Sequence, residues 1–452
     1  MVASHRIHVI DRVDPALNEI PINANELSKA GPGPSKACDP KIEKFRGFFR
    51  KYFLEGQKLD VETQQRLNTS DHLPFYERYR KYIAFVIPFI FMHTVWWSLA
   101  IRYNIFRLYP TRYEMAVTMI FGATIAGATA EGGGAVAFPV MTLFLHIDST
   151  VARDFSLMIQ SCGMTSATFT ILWMQVQLEW HSIIFCSLGG LFSIILGLQF
   201  VDDLLSSLEK KMLFVSIWFA FALSLYILNR ERKRITVLTI RNFNAQKALI
   251  LLATGFVGGF CSAFAGSGVD ICSFSMLTLL FRVSEKVATP TSVVLMAVNT
   301  VIGFYWRQLM MNQISDLAWE YFQVAGKLNI FFKTVLHRTF SAITVPVVVV
   351  CAPFGAFFSS HLHRQVLASF VYVLELLALI GFLISGPPLH LVLIGTAVIA
   401  AGFFFFFAIS KVGRWLYVKD SQAQEEKAIT TVSSFLDSNS PYKNTLVAVS
   451  AG

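Results

Sequence analysis

Long apolar segments, separated by short polar ones, fill most of the chain after residue 80. They lie at about 81–101, 115–145, 155–176, 182–201, 212–228, 248–281, 287–306, 340–358, 366–384 and 389–409. Most of them are close to the roughly 20 residues that a helix needs to cross the hydrocarbon core of a bilayer. The pattern therefore predicts an all-α polytopic membrane protein.

Two of these segments, 115–145 and 248–281, are longer than one crossing and are broken by glycines. The first break, here called the first turn, is Gly132-Gly133-Gly134, and the second turn is Gly266-Ser267-Gly268, 134 positions later. Glycine loosens a helix and bares its backbone N–H groups, which is tolerated at membrane depth only beside protein or a water-filled cavity. We therefore predict that each long segment is a re-entrant hairpin and that the two turns form one binding site.

The duplication extends beyond the turns. The stretch that begins Ala152-Arg153-Asp154 meets the stretch that begins at Ala288, 136 positions later, and similar segments follow each of them. The sequence thus predicts two repeats, 115–229 and 248–385, each a glycine-broken hairpin followed by three spans. Because three is an odd number of crossings, the repeats should be inverted, an arrangement typical of alternating-access transporters.

Composition supports a membrane protein and limits the class of partner. Hydrophobic residues make up 54% of the chain and charged residues only 15%, against about 25% charged in soluble domains. The net charge of +9 comes from basic residues that crowd the tails and a few loops. We attribute this excess to membrane orientation and lipid headgroups, and we expect no nucleic acid partner.

The parts outside the repeats are predicted from the same pattern. Residues 1–80 read as a largely disordered tail containing an amphipathic helix, which lies either on the membrane or against the protein. Residues 81–112 supply an extra first span and loop, 310–339 an inserted loop with a surface helix at 319–332, and 389–409 a last span. With two re-entrant hairpins, the basic loop 230–247 and both tails, including 410–452, fall on the cytoplasmic side.

These motifs resemble the sulfite exporter TauE/SafE family of membrane permeases. Its hallmark is a pair of repeats that each open with a Gly-rich motif, continue through a Pro or small-residue stretch and then enter an Ala-x-x-x-Ser helix. Here the first turn is followed by Pro139 and by Ala152-x-x-x-Ser156, and the second turn by Ala288-x-x-x-Ser292. The resemblance covers about 115–384 and implies transport of sulfite or another small sulfur-containing anion.

The residues near the turns suggest how such an anion would be held. Helix N-termini after glycine turns offer N–H donors and a favourable dipole to an oxyanion. One face of the helix after Asp154 carries Ser156 and Gln160, and the equivalent face of its partner carries Ser292 and Asn299. These faces either complete an anion pocket with hydroxyl and amide donors or pack closely with polar groups between the helices.

Two carboxylates beside the turns, Glu131 and Asp270, require separate consideration. An ionised carboxylate in a membrane is costly and would repel an anionic substrate. Either it carries a proton when the anion binds, which gives proton coupling, or it caps the N-terminus of a half-helix. Both alternatives are compatible with the sequence.

Enzyme signatures are weak throughout the sequence. There is no His-x-x-x-His pair with a third ligand, no nucleophile elbow and no phosphate loop, so we expect no metal, no cofactor and no catalytic residue. The expected partners are a small anion and membrane lipids, and the pattern gives no oligomeric state. Two rival hypotheses are an intramembrane enzyme or redox protein that uses Cys162, Cys261 or Cys272, and a scaffold that does not transport.

Overall fold

The computed structural model describes residues 79–103, 109–129, 132–201, 204–229, 236–322, 345–359 and 364–438, and these residues are nearly all helical. The first half contains α1 (Arg80–Tyr103), α2 (Tyr109–Ala128), α3 (Gly134–Pro139), α4 (Ser149–Trp173), α5 (Trp180–Leu196) and α6 (Ser207–Asn229). The second half contains α7 (Ala245–Ala265), α8 (Val269–Ser275), α9 (Glu285–Tyr305), α10 (Asp316–Phe322), α11 (Val345–Ser359), α12 (Arg364–Ile384) and α13 (Leu389–Ser438). Helices α3, α5, α8 and α9 each continue into a π-helical turn of five residues.

Six helices in the described part of the chain are long and apolar enough to cross a membrane: α4, α5, α6, α7, α9 and the first part of α13. Shorter apolar stretches lie in α1, α2, α11 and α12 and in the half-helix α8 with its π-helical turn. At 1.5 Å per residue, neither α8 nor the equivalent half-helix α3 could cross a hydrocarbon core of roughly 30 Å. The fold is therefore the polytopic all-α membrane fold that the apolar pattern predicts.

Each half-helix folds back on the helix that precedes it. A Cβ added to Gly122 of α2 would lie 3.3 Å from the side chain of Val136 of α3. A Cβ added to Gly258 of α7 would lie 2.6 Å from the Cα of Val269 of α8. Glycine therefore allows the two arms of each broken segment to approach closely, and both segments form hairpins.

Both hairpins end in the same local structure. The half-helix α3 passes into the π-helical turn Val140–Phe144, and α8 passes into Met276–Leu280 at the equivalent place. Within these turns the hydroxyls of Thr142 and Thr278 each donate to the carbonyl four residues earlier, at 2.8 and 2.7 Å. The two halves thus share a local plan that the short sequence motifs only partly reveal.

The loops that follow the hairpins are also equivalent. His146 and Arg282 occupy the left-handed region with φ of 51° and 55°. Two residues later, the side chains of Asp148 and Ser284 accept hydrogen bonds from the first turns of α4 and α9 and so cap these helices. These matches support the predicted duplication, whereas the inverted orientation of the repeats stays a prediction.

The helices of the two halves pack against each other reciprocally. Helix α2 opens the first repeat and packs on α11, and its counterpart α7 packs on α5, which is the counterpart of α11. Between these pairs, α4 packs on α9, its own counterpart in the other repeat. The main contacts across the centre therefore have equivalents, and α4 and α9 form the central pair.

Glycines set the distance between α2 and α11. A Cβ on Gly127 would collide with the carbonyl oxygen of Ala352, and one on Gly355 would collide with the carbonyl oxygen of Thr124. The backbones of the two helices therefore touch directly, as is common between membrane helices, where small residues replace the hydrophobic driving force. The equivalent pair, α5 and α7, is in contact through Gly189 and Gly255 in the same way.

The insertion after α9 differs from the prediction. Its described helix, α10, ends at Phe322, and Trp319 is only 3% exposed because it packs against Phe304 of α9. Tyr321 in turn contacts Phe155 of α4 edge to face. The first four residues of the helix predicted at 319–332 are thus helical, with Trp319 and Tyr321 packed on the protein, and residues 323–344 lie outside the described residues.

The last helix, α13, continues far beyond residue 409, to Ser438. At 1.5 Å per residue its 50 residues extend about 75 Å, more than twice a hydrocarbon core. Past the apolar stretch, Asp420 forms an ion pair with Lys247 at 2.6 Å, and Ser421 accepts a hydrogen bond from Arg241 at 3.1 Å. Part of the basic loop 230–247 is thus bound to α13 rather than left for lipid headgroups.

We predict that the stability of the protein depends on Gly127 and Gly355, where α2 packs on α11. Replacing either with Ala should lower thermal stability, by about 1–3 kcal/mol, because the new Cβ meets backbone that cannot move aside. Gly133→Ala is the matched control, since its nearest contact would be the flexible end of Met119, at 3.2 Å. Melting temperatures of the purified variants in detergent would test this. Wild-type melting temperatures for both Gly127→Ala and Gly355→Ala would contradict it.

Candidate binding site at the paired turns

The second turn is closed by its own carboxylate. Gly266 ends α7 with φ of +78°, and Gly268 is the N-cap of α8. Asp270, only 1% exposed, accepts a hydrogen bond from the backbone N–H of Gly268 at 2.7 Å through Oδ1. Its Oδ2 accepts a second bond from the hydroxyl of Ser267 at 2.8 Å. These are the contacts of a cap on a half-helix N-terminus.

This geometry changes what the second turn can offer. The sequence predicts that the N–H of Gly268 donates to an anion, but Asp270 already accepts that bond. A bound anion at this N–H would have to displace the carboxyl group of Asp270. The observed contacts of Asp270 are those of capping, and proton coupling stays a prediction. Glu131, which directly precedes the first turn, lies outside the described residues.

The first turn lies against the second. A Cβ on Gly134 would be 3.1 Å from the Cβ of Ser267, so the two turns are in van der Waals contact. Gly132 has φ of +69°, and a Cβ there would collide with the sulfur of Met296 on α9. Glycine is therefore required at Gly132 by both backbone conformation and space. Gly133, with φ of −68°, is under neither constraint.

Gln160 of α4 lies between the turns and links them. Its Nε2 donates to the carbonyl of Gly266 at 3.0 Å and to the carbonyl of Ser156 at 2.9 Å. The same side chain borders the first turn, because its Nε2 lies 2.6 Å from the position of a Cβ on Gly134. Both of its amide donor hydrogens are thus used inside the protein, and the oxygen Oε1 has no hydrogen-bond partner among the described residues.

The other predicted site residues divide into two groups. Ser156 lies at the second turn, where its Cβ is 2.7 Å from the position of a Cβ on Gly266. Its hydroxyl has no hydrogen-bond partner in the described part of the chain. Ser292 instead donates to the carbonyl of Thr289 in its own helix, at 2.8 Å. Asn299 borders α5, where its Oδ1 lies 3.1 Å from the position of a Cβ on Gly190. Among the described residues, Ser156 and Gln160 therefore meet the turns, whereas no contact brings Ser292 or Asn299 to Gln160.

Each turn packs on the central helix of the opposite repeat. The first turn contacts Met296 of α9, and the second turn contacts Ser156 and Gln160 of α4. Met296 and Gln160 occupy equivalent positions, 136 residues apart. The site is thus built from both halves, so that neither repeat alone contains it.

One buried ionic cluster is not predicted by the sequence motifs. The guanidinium of Arg153 donates to the carboxylate of Asp154 at 2.6 and 3.0 Å and to the carbonyl of Ala263 at 3.2 Å. Arg307, in the π-helical turn after α9, contacts the carboxylate of Asp154 at 3.3 Å. Arg153 and Asp154 are both within 1% of complete burial. The available signal in the sequence is the adjacent Arg-Asp pair directly before the apolar segment 155–176.

The cluster adjoins the second turn. A Cβ on Gly266 would lie 3.0 Å from the carbonyl oxygen of Arg153. The contact with Ala263 ties α4 to the end of α7, and the contact between Asp154 and Arg307 ties α4 to the end of α9. The cluster therefore fixes the positions of the helices that carry the site.

Two of the cysteines named by the rival enzyme hypothesis are close together. Cys261 on α7 is buried beside the second turn, where its Cβ lies 2.5 Å from the position of a Cβ on Gly268. Cys272 on α8 faces α7, because its Cβ lies 3.2 Å from the position of a Cβ on Gly258. Cys162 instead lies on α4, next to Ser161. The first two thus lie between the arms of the second hairpin.

A family model for sulfite exporter TauE/SafE matches residues 115–380, which is more than half of the chain. The protein belongs to the sulfite exporter TauE/SafE family. The match includes both hairpins, the central pair α4 and α9 and most of α12, whereas α1 and α13 lie outside it. No curated protein and no solved structure matches the chain.

Membership of the TauE/SafE family fixes the general class of this protein. The family consists of membrane permeases for sulfite or related anions, which are transporters rather than enzymes. Together with the apolar helices, this makes the chain an integral multi-pass membrane protein. The two glycine turns of the family motif are the same turns that meet at Gln160.

The contacts of Asp270 predict a graded response to substitution. Asp270→Ala should lower the melting temperature markedly, because the buried N–H of Gly268 loses its acceptor, at about 1–3 kcal/mol, and the hydroxyl of Ser267 loses one of its hydrogen bonds. Asp270→Asn keeps one acceptor oxygen and should retain much of that stability. Melting of both variants in detergent provides the measurement. Wild-type stability of Asp270→Ala would contradict capping and favour a proton-carrying role.

Proposed function

We propose that this protein is a secondary transporter that moves sulfite or a small organosulfur anion across the membrane by alternating access. Family membership supports transport and the class of substrate. The position of the substrate site, the anion itself and the mechanism are our inference from the geometry of the turns.

The observation that carries the proposal is the meeting of the two turns at Gln160. Residues from both hairpins and from α4 converge there, and the side chains of Ser156, Gln160 and Asp270 are almost completely buried. Irregular backbone at membrane depth is characteristic of transporter binding sites at a repeat interface. A scaffold has no need for two such breaks that meet between its halves.

The anion would be held between the turns, on the side of Ser156. At the second turn the N–H of Gly268 is already bonded to Asp270, whereas the equivalent positions of the first turn are Gly134 and Val136, and Val136 has no carboxylate to accept from the backbone. The hydroxyl of Ser156 supplies a donor that no described protein group uses. The guanidinium of Arg153, one turn of α4 away, adds a favourable field, although its own bonds go to Asp154 and Ala263.

Alternating access would follow from the reciprocal packing. Because each turn rests on the central helix of the other repeat, a rocking movement of one half on the other changes both turn contacts together. Access would switch from one side of the site to the other without unfolding either hairpin. No nucleotide-binding motif is present in the sequence, so the gradient of the anion or of a coupled proton would drive transport.

The proposal predicts sulfite flux that depends on Gln160. Proteoliposomes that contain the purified protein should release sulfite down its gradient without ATP. Gln160→Ala should reduce flux per folded molecule by about tenfold or more, because the side chain that spaces the two turns is lost. Ser161→Ala is the matched control on the same helix, since among the described residues that hydroxyl bonds its neighbours Met158 and Cys162.

The measurement is sulfite efflux normalised to correctly folded protein by size-exclusion chromatography. Flux at the wild-type rate in Gln160→Ala would place the substrate path elsewhere. Absence of flux for sulfite, sulfate, sulfonates and carboxylates alike in the wild-type protein would refute transport as the function.

A further inference from the structure

Two buried oxygen atoms at the centre of the site have no hydrogen-bond partner among the described residues. They are Oγ of Ser156 and Oε1 of Gln160, on one face of α4 and one helical turn apart. Ser156 is completely buried and Gln160 is 1% exposed. Leaving a buried polar atom unpaired is costly, so two such atoms on successive turns of one helix indicate groups that a ligand is meant to satisfy.

The neighbours of Gln160 fix the orientation of its amide. The nitrogen donates to two carbonyl oxygens, of Gly266 and Ser156, and a flipped amide would place an oxygen against both of them. The atom left for a ligand is therefore Oε1, which can only accept. The amide donors that the sequence predicts for an anion are engaged within the protein at Gln160, where they hold the second turn.

We propose, building on the transport function above, that the site selects small anions that also carry a hydrogen-bond donor. The donor, a hydroxyl or an ammonium group, binds Oε1 of Gln160, and the anionic oxygens accept from the hydroxyl of Ser156. Hydrogensulfite, with one S–OH group, is a small anion that meets this requirement. A hydroxyl- or amino-substituted sulfonate meets it with the two groups farther apart.

The spacing of the two residues sets the size of the ligand. Residues one helical turn apart place their Cβ atoms about 5–6 Å from each other. A ligand that touches both side chains therefore needs its donor and its anionic oxygen within a similar distance. One- and two-carbon sulfonates satisfy this limit, whereas long-chain sulfonates place their donors beyond it.

The charges around the site favour a monoanion. Asp270 lies at the second turn beside Ser267, and a carboxylate there repels a second negative charge on the ligand. Arg153 lies on the same helix as Ser156, three residues earlier, with its bonds to Asp154 and Ala263, and its guanidinium favours the anionic oxygens on the side of Ser156. Oε1 of Gln160 lies beside the first turn, 2.7 Å from the position of a Cβ on Gly132, so the donor of the ligand is placed at the first turn.

A matched pair of probes separates donor recognition from anion recognition. Isethionate and ethanesulfonate differ by one hydroxyl, and their dissociation constants can be measured by titration calorimetry on the purified protein in detergent. We expect isethionate to bind about tenfold or more tightly, because ethanesulfonate leaves Oε1 of Gln160 unpaired. Sulfite efflux from proteoliposomes is measured on the same preparation.

Two variants test the residues independently. Gln160→Met keeps the volume of the side chain and removes Oε1, so the preference for isethionate should fall to about one. Ser156→Ala removes only a hydroxyl that has no partner among the described residues, so both probes should weaken by about fivefold to tenfold with their ratio unchanged. Ser161→Ala should change neither constant, because its hydroxyl is bonded to Met158.

The outcomes distinguish this inference from the transport function. Sulfite efflux with equal binding of both probes, or with no binding of either, would overturn donor selection and leave transport intact. A preference for isethionate that persists in Gln160→Met would also overturn donor selection by Gln160. In the wild-type protein a buried water would then be the partner of Oε1. Absence of both efflux and binding would refute the transport function together with the inference. The ratio of the dissociation constants of the two probes in the wild-type protein tests donor selection even if Gln160→Met does not fold.

Discussion

Backbone polar groups that leave a helix at membrane depth must find partners inside the protein, and this constraint governs the centre of the molecule. At the second turn, Asp270 accepts from the N–H of Gly268, and Gln160 donates to the carbonyl of Gly266. Arg153 satisfies the carbonyl of Ala263, at the end of the preceding helix. The break in the helix is therefore stable because side chains from two elements, α4 and α8, replace its lost hydrogen bonds.

The same constraint explains why the two repeats cannot be separated. Each turn rests on the central helix of the other half, and the outer pairs α2–α11 and α5–α7 are drawn together by glycines whose backbones touch. Packing of this kind holds helices together in lipid without a hydrophobic driving force. The proposed alternating access would move one half on the other across these contacts.

The hairpins, the duplication and the family could be predicted from the sequence, because glycine breaks and apolar segment lengths are local signals. Ser156 and Gln160 also lie at the turns, on the helix face that their spacing indicates. Which atoms of Gln160 remain for a ligand could not be predicted, since that depends on the carbonyl of Gly266, more than one hundred residues away. Ser292 and Asn299 make other contacts for a related reason, because helical spacing gives the face of a helix but not its neighbour. The partners of Arg153 likewise include a distant helix.

The most direct test of this account is a cross-link between the turns, because everything else depends on their contact. Gly134→Cys and Ser267→Cys, introduced together into a protein whose native cysteines are replaced, place two Cβ atoms close enough for a disulfide. We predict that oxidation forms this bond and stops sulfite efflux, and that a reductant restores it, whereas each single variant is unaffected by oxidant. Failure to cross-link, or full efflux from the cross-linked protein, would contradict the claim that the two turns meet at the transport site.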